Sequence, residues 1–449
     1  MKYTDGKNIM VYAQSADGAP VGAALETVSK AAELAKANGE EVIAVVFGKD
    51  TDTKTVITAG ASKVLVAGGE GLPIRHLVEG TFSYIDTILV IATAMVFMKV
   101  VEKSGTLDAL SAVIIKKFHK HPAILLILIM AVIMFPGMIT GSSTAAVLSA
   151  GSIMAPVLLI MGLDTVTAAA LIAMGGLLGM IAPPVNLPAM IIGGGIDVPF
   201  VGFGIPLLLL TIPVAIFSAL FLGLKQAKNM DYEKMEPHLN KEVAEKYGFR
   251  VYIPLFVLVI LMMLTKIFKV IPDIGMPLMF LVSAAVGLFT GRKVNPVETI
   301  QEALHSSLPV MGILMGVGMF IQVMTLTGVR GFIVMTCLGL PEHLRLLAAG
   351  VSIPLFGAVS SFGASSVLGV PFALAFLNMD TVFTIAALSF IAALGDMMPP
   401  TALAGLFAAK ITGVENYVKV LKRCMVPMAV MLVYGMAFIY FSKSLAALF

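Results

Sequence analysis

Charge is scarce in this chain. Lys, Arg, Asp and Glu make up 13% of its 449 residues, against 58% hydrophobic residues and a mean hydropathy of +0.97. That balance excludes a soluble globular fold for most of the length, because too little polar surface exists to face water. The deficit is uneven: of 30 basic and 27 acidic residues, 18 lie in positions 1–80, and the remaining 369 positions hold 39. A small polar head therefore precedes a polytopic membrane body. Cysteine is nearly absent too. Cys337 and Cys424 stand in apolar surroundings with no CxxC or Cys/His spacing, which excludes a disulfide framework and a zinc site and leaves both as small buried hydrophobes. The six histidines (His76, His119, His121, His238, His305 and His343) fall in loops or at the ends of apolar runs and form no HExxH pair. The chain opens without a basic segment followed by an apolar one, so no cleaved signal peptide is expected and the head is expected to stay in the cytoplasm. A net charge of +3 is mild and fits loop Lys and Arg of a membrane protein, so nucleic acid is discarded as a partner.

In the head, residues 8–14 and 41–48 are strand-like. Residues 20–38 hold Val21, Ala24, Leu25, Val28, Ala31, Ala32 and Leu34 at helical spacing, and Lys63–Ala67 follows a turn-like AGAS. The pattern predicts a βαβ start and a third parallel strand, a small α/β head over residues 1–72. From Ile85 onward apolar runs of spanning length recur: 85–101, 122–139, 166–195, 203–224, 251–271, 276–290, 307–326, 345–360, 382–411 and 424–442. Stretches 141–161 and 361–378 are rich in Gly, Ser and Ala, which suits re-entrant hairpins. The polar segment 225–250, with six basic and five acidic residues, is placed in the cytoplasm and separates a first half, 80–224, from a second, 251–449. If all ten runs crossed, the two hairpins would open on the same side, whereas an inverted repeat needs them opposed. Either 251–271, with Lys266 and Lys269, or 276–290 is therefore expected to stop short, and the basic segment Lys116, Lys117 and Lys120 falls on the outside.

The two halves match. DTVTAAALIAMGGLLGMIAPP at 164–184 aligns without a gap to DTVFTIAALSFIAALGDMMPP at 380–400, an offset of 216 that pairs Asp164 with Asp380, Gly179 with Gly395 and the two Pro-Pro pairs. GSST at 141–144 and SSFGASS at 360–366 precede the respective blocks. The expected fold is an all-α polytopic membrane protein of two repeats, each with a small-residue hairpin and a broken helix, as in secondary transporters. Proline removes a backbone donor and clashes with the carbonyl four residues earlier, so Pro183-Pro184 and Pro399-Pro400 leave backbone groups unpaired at membrane depth. Such groups suit a carboxylate at helix N-termini and a cation such as sodium at carbonyls, helped by short polar side chains. Candidates for the substrate and ion site are Gly141, Ser142, Ser143, Thr144, Asn186, Ser360, Ser361, Ser365, Ser366, Gly395, Asp396 and Thr401, with the four prolines; sodium is assigned to Ser142, Ser143, Ser365, Ser366 and Asp396. Asp396 differs in kind, since an ionised group within an apolar run is a functional expectation by default, either cation coordination or proton coupling. Asp86 and Lys99, near the ends of the first span, can snorkel and receive no role.

Two resemblances extend this reading. NIMVYAQSADG, TVSKAAELAKANGEEV, AVVFGKD and AGASKVLVA, roughly 65 residues, resemble the N-terminal part of an electron-transfer flavoprotein alpha subunit. That family's flavin site lies mainly in a C-terminal domain with no counterpart here, so no flavin is expected. ITGSSTAAVLSAGSIMAPVLLIMGLDTVTAAALIAMGGLLGMIAPPVN, IDTILVIATAMVFMKVVEKSG and FTGRKVNPVE are similar to the large membrane subunit of TRAP transporters, over Ile85 to the C-terminus. This resemblance implies sodium-driven, elevator-type uptake of an organic acid in a prokaryotic cytoplasmic membrane. Ser142 and Ser143 would lie at the first hairpin and Pro183, Pro184, Pro399 and Pro400 at the breaks. It also implies a small membrane subunit and an extracytoplasmic binding protein as partners, and related folds form homodimers. The polar head replaces the family's usual first span, and no small subunit is fused. GSST and GASS stand where dicarboxylate/sodium symporters carry Ser-Asn-Thr, which leaves the substrate open within organic anions. The alternative reading is a membrane-bound redox component that docks an electron carrier through the head. GxGxxG or paired membrane histidines would favour it, and neither is present. A passive channel would need rings of like charge, for which the charges are too few.

Overall fold

The computed structural model describes residues 8–16, 18–48, 51–67, 74–227, 242–267, 270 and 272–449. The expected end of the head at 68–72, most of the expected linker (228–241, with His238) and Lys269 lie outside the described residues. The chain divides into two compact units, Met1–Ile74 and Arg75–Phe449.

In the first unit, strands Asn8–Tyr12, Glu41–Phe47 and Lys63–Ala67 form a parallel sheet with Glu41–Phe47 in the centre, in register Met10↔Ile43 and Val45↔Leu65. Alternation along the central strand buries Val42, Ala44 and Val46. They pack with Ala24, Val28, Ala31 and Ala35 of helix Gly22–Asn38, one stripe at helical spacing. Leu34, placed on that stripe by the sequence pattern, is exposed. Asp52 starts helix Thr53–Thr58 by accepting from the Lys54 and Thr55 amides.

The second unit is helical. Among the described residues, six helices are long and apolar enough to cross a membrane, seven if the bent pair Ile74–Phe82 and Ile85–Lys103 counts as one. The count falls below the ten apolar runs for local reasons. Run 166–195 divides into helices Thr165–Ile181 and Leu187–Gly195, and run 382–411 into Thr381–Met397 and Leu403–Thr412. Helix Met276–Gly287 has 12 residues, about 18 Å, too short for a bilayer core of about 30 Å. Hydropathy alone also passed over two elements, Thr106–Phe118, which carries Lys116 and Lys117 in its last turn, and Val329–Gly339.

The small-residue stretches differ from expectation. Neither 141–161 nor 361–378 folds as a hairpin of its own; Ser143–Ile160 and Ser361–Ala375 are each one helix containing a π turn, at Val147–Gly151 and Ser365–Gly369. The chain turns before each of them, after helices Pro122–Thr140 and Glu342–Gly357. Ser142 and Ser360 cap the new helices, accepting from the Ala145 and Gly363 amides at 3.2 and 3.0 Å.

Both long matching blocks begin and end alike. Asp164 and Asp380 cap helices Thr165–Ile181 and Thr381–Ala393, accepting from Thr167 and Phe383 amides at 2.8 and 2.9 Å. The Pro183-Pro184 and Pro399-Pro400 bonds are both cis. After each pair the next amide donates to a neighbouring helix end: Val185 to the Met138 carbonyl at 3.1 Å, and Thr401 to that of Ala358 at 3.3 Å. These partners are within reach because the backbones cross at glycine. A Cβ on Gly137 would fall 2.8 Å from the Gly179 carbonyl carbon, and one on Gly395 would overlap the backbone of Gly357.

Packing separates two groups of helices. One buried cluster joins Pro122–Thr140, Ser143–Ile160, Thr165–Ile181, Gly204–Gly223, Thr381–Ala393 and Tyr417–Tyr440. The other joins Ile85–Lys103, Ile253–Met262, Met276–Gly287 and Pro296–Leu326, and takes in Val185, Leu187 and Ile191. Gly395→Ala and Gly179→Ala are expected to destabilise the protein by about 1–3 kcal/mol each, as overpacked crossings do. Gly312→Ala, where a Cβ meets nothing within 4 Å, should leave stability unchanged or slightly raised. Thermal midpoints of the purified variants in detergent check this, and equal midpoints for all three would contradict the crossing argument.

Candidate functional site

A cavity of about 380 Å³ lies where the two helix groups face each other. One wall is a single face of helix Ile85–Lys103, presenting Met95, Met98, Lys99 and Glu102 at spacings of three and four, completed by Ser306, Pro309, Val310 and Ile313 of helix Pro296–Leu326. The opposite wall is the start of helix Ser143–Ile160, with Ser142, Ser143, Thr144 and Ser149, together with Met180, Phe362, Asp396 and Leu403.

Asp396 sits in the short 3₁₀ turn Leu394–Met397 between helix Thr381–Ala393 and the Pro-Pro break. It is 5% exposed, and that remainder faces the cavity. Its carboxylate accepts from the Ser143 hydroxyl and from the Ala404 amide, the latter in the first turn of helix Leu403–Thr412. A carboxylate at a helix N-terminus meets amide groups that the helix itself leaves unpaired. The Ser143 bond joins side chains 253 positions apart, one from each half.

The other candidates have different work. Asn186, fully buried, caps helix Leu187–Gly195 by accepting from the Ala189 amide at 2.9 Å. Its amide donates to the Ile181 carbonyl at 2.8 Å and the Ser389 hydroxyl at 3.0 Å, tying the first break to the second half. The Ser365 and Ser366 hydroxyls donate to the carbonyls of Ser361 and Gly363, both at 2.9 Å. Thr401 donates its hydroxyl to the Ala358 carbonyl at 2.8 Å. Gly141 ends helix Pro122–Thr140 at φ +65°, and Gly395 lies in the crossing with Gly357. None of these, nor Ser360, Ser361 or the four prolines, lines the cavity. The candidates gathered there are Ser142, Ser143, Thr144 and Asp396; of the five residues assigned to sodium, Ser365 and Ser366 are not among them.

Sequence reasoning passed over Lys99, which the cavity includes. Its ammonium lies 3.0 Å from the Glu102 carboxylate one turn on, both lining the cavity. The signal was there, since a Lys and a Glu three apart in an otherwise apolar run share a helix face. Next to them Lys103 pairs with Glu302 at 2.7 Å and lies 3.9 Å from Glu298, joining helix Ile85–Lys103 to Pro296–Leu326.

The model of the DcuC family, described as C4-dicarboxylate anaerobic carrier, matches residues 74–443. Solved structures share the fold, two of them as follows. MtrF of Neisseria gonorrhoeae, described with a class of antimetabolite efflux pumps, superposes with a TM-score of 0.58 at 13% identity, covering 83% of this chain and 84% of that one. The YdaH transporter of Alcanivorax borkumensis, described as having an unusual topology, superposes with a TM-score of 0.56 at 16% identity, covering 82% and 87%. Among curated proteins, none matches in sequence.

The bond between the halves makes a direct prediction. Ser143→Ala should lower stability by about 1.5–3 kcal/mol, the range for hydrogen bonds to charged groups, and should cost far less in an Asp396→Ala background. Denaturant unfolding of the four proteins in micelles gives the coupling; additive costs would show that the two side chains do not act together.

Proposed function

Because the chain belongs to the C4-dicarboxylate anaerobic carrier family, and is thus a multi-pass membrane carrier, we propose that it moves C4-dicarboxylates by cation-coupled secondary transport through the cavity at Asp396. The observation that carries the reading is a buried carboxylate on the wall of a cavity between two helix groups, held by one residue from each matching half. One substrate carboxylate lies at the N-terminus of helix Ser143–Ile160, where unpaired amides and the helix dipole favour an anion. An ionised Asp396 beside it repels that anion in a low-dielectric site. A cation on Asp396 removes the repulsion, so cation and substrate each raise the other's affinity, and by linkage to the same extent.

Sodium is the proposed cation, with Ser142, Ser143 and Asp396 as oxygen donors beside the carbonyls that the helix breaks free. In this reading the cluster of Thr165–Ile181 and Thr381–Ala393, with the second break, moves as one body against the cluster of Ile85–Lys103 and Pro296–Leu326, onto which Val185, Leu187 and Ile191 pack. The motion is of the elevator type, with the turns at 141–142 and 358–360 as hairpin tips of an inverted repeat. The support is the separation of the two packed clusters and the matching caps, π turns and Pro-Pro breaks. A prokaryotic cytoplasmic membrane is the proposed location, with the head on the cytoplasmic side. The TRAP-like motifs agree with this architecture, while the family match favours a dicarboxylate despite the missing Ser-Asn-Thr signature.

The test is uptake of radiolabelled succinate by the purified protein alone in sealed liposomes under an inward sodium gradient, an equal potassium gradient and a pH gradient. Sodium-driven accumulation is expected, and Asp396→Asn should reduce it at least about tenfold, equivalent to 1.4 kcal/mol. The variant's remaining succinate affinity should no longer depend on sodium. Accumulation driven by the pH gradient alone would replace sodium with a proton, and no accumulation under any gradient would contradict the reading.

A further inference from the structure

We infer that Lys99 is the group that recognises the second carboxylate of the substrate, with Glu102 as the resting counter-ion that the substrate displaces. The inference rests on the dicarboxylate reading above and adds to it the residue that separates dicarboxylates from monocarboxylates.

Among the described residues lining the cavity, Lys99 is the one cation, against two carboxylates, Glu102 and Asp396. It stands on the wall opposite Ser143 and Asp396, in the other packed helix group. A dicarboxylate seated with one end at the start of helix Ser143–Ile160 therefore meets Lys99 with its other end, whereas a monocarboxylate presents only a methyl group there. Lys99 is positioned for this rather than for packing. Met95 and Met98 share its face and supply apolar wall for the carbon chain, and the ammonium carries three N–H donors, of which the Glu102 contact at 3.0 Å takes one. The pair is partly exposed, 24% for Lys99 and 39% for Glu102. Ion pairs of that kind contribute little to stability, so a substrate carboxylate can compete with Glu102 for the ammonium. Lys103, one turn away, is engaged with Glu302 and Glu298 and does not line the cavity.

The geometry also assigns Lys99 a part in the transport cycle. The Ser143 and Asp396 wall belongs to the body proposed to move, and Lys99 to the body proposed to stay. When the two part, the second carboxylate leaves Lys99, and Glu102, three residues along the same helix, takes the ammonium back. The cation then never faces the apolar wall without a partner.

The experiment compares succinate with butyrate on wild type, Lys99→Met, Lys99→Arg and Glu102→Gln, by concentration-dependent uptake in liposomes and by ligand-induced shift of the thermal midpoint in detergent. Lys99→Met keeps an unbranched chain and should raise the half-saturating succinate concentration about tenfold or more, with butyrate inhibition changed by less than about threefold. Lys99→Arg should retain most of the preference for succinate. Glu102→Gln should bind succinate more tightly than wild type, because the competing acceptor has lost its charge. A Lys99→Met protein that is folded, by its unliganded midpoint, and keeps the wild-type succinate to butyrate ratio overturns the assignment while leaving the carrier reading intact. Weaker succinate binding in Glu102→Gln overturns it too, since the ion pair would then serve structure. A wild type that neither takes up succinate nor is stabilised by it removes the dicarboxylate reading, and this assignment with it.

Discussion

No water reaches the hydrocarbon core of a membrane, so every backbone amide and carbonyl there must find its partner within the protein. A helix interrupted within an apolar segment is the hardest case, and the described residues hold two at Pro-Pro pairs. At each, the amide after the Pro-Pro pair reaches the carbonyl of a neighbouring helix end, Val185 to Met138 and Thr401 to Ala358. That reach depends on backbones that cross at Gly137 and Gly179 in one half and at Gly357 and Gly395 in the other, where no Cβ fits. With the crossings in place, each break lies beside the start of a serine-capped helix, and the cavity wall follows from that placement.

The two breaks share a backbone solution and differ in side chains. At the offset of 216, Asp396 answers to Met180, Asn186 to Ala402 and Ser389 to Ala173. The first break is closed by a neutral amide that uses its own donors and acceptor on the Ile181 carbonyl, Ser389 and the Ala189 amide. At the second the N-cap residue is Ala402, at φ +39° and with no side chain to cap, and the Ala404 amide is met instead by the Asp396 carboxylate, which is open to the cavity. The two matching blocks thus end in one fastening and one charged site. A buried amide whose partners are all protein groups has little left for a ligand, whereas a carboxylate facing a cavity changes its energy with any ion beside it.

Much of this was legible in the residues. The head's strand and helix periods and the matching blocks with Asp164 and Asp380 at their starts follow from spacing, and the cost of charge in an apolar run singles out Asp396, which the fold places on the cavity wall. The position of the turns did not. GSST and SSFGASS looked like hairpins because small residues suit tight turns, yet helical hydrogen bonds carry through both stretches with a π turn, and each reversal falls just ahead. Nor could spacing tell a serine used on its own backbone, such as Ser365, from one aimed at a cavity, such as Ser143. That difference depends on which helix lies opposite, and it is also why Lys99 looked like a snorkelling side chain from the sequence and lies on a cavity wall in the fold.

The central claim is that substrate and cation meet in the cavity between Asp396 and the Ile85–Lys103 wall. Its most direct test is alkylation of a thiol placed there, in Ser306→Cys, with the buried Cys337 and Cys424 replaced by serine. The account predicts that succinate slows the labelling severalfold when sodium is present and hardly at all when potassium replaces it. Labelling at one rate with and without succinate, in protein shown to transport it, would place the substrate elsewhere.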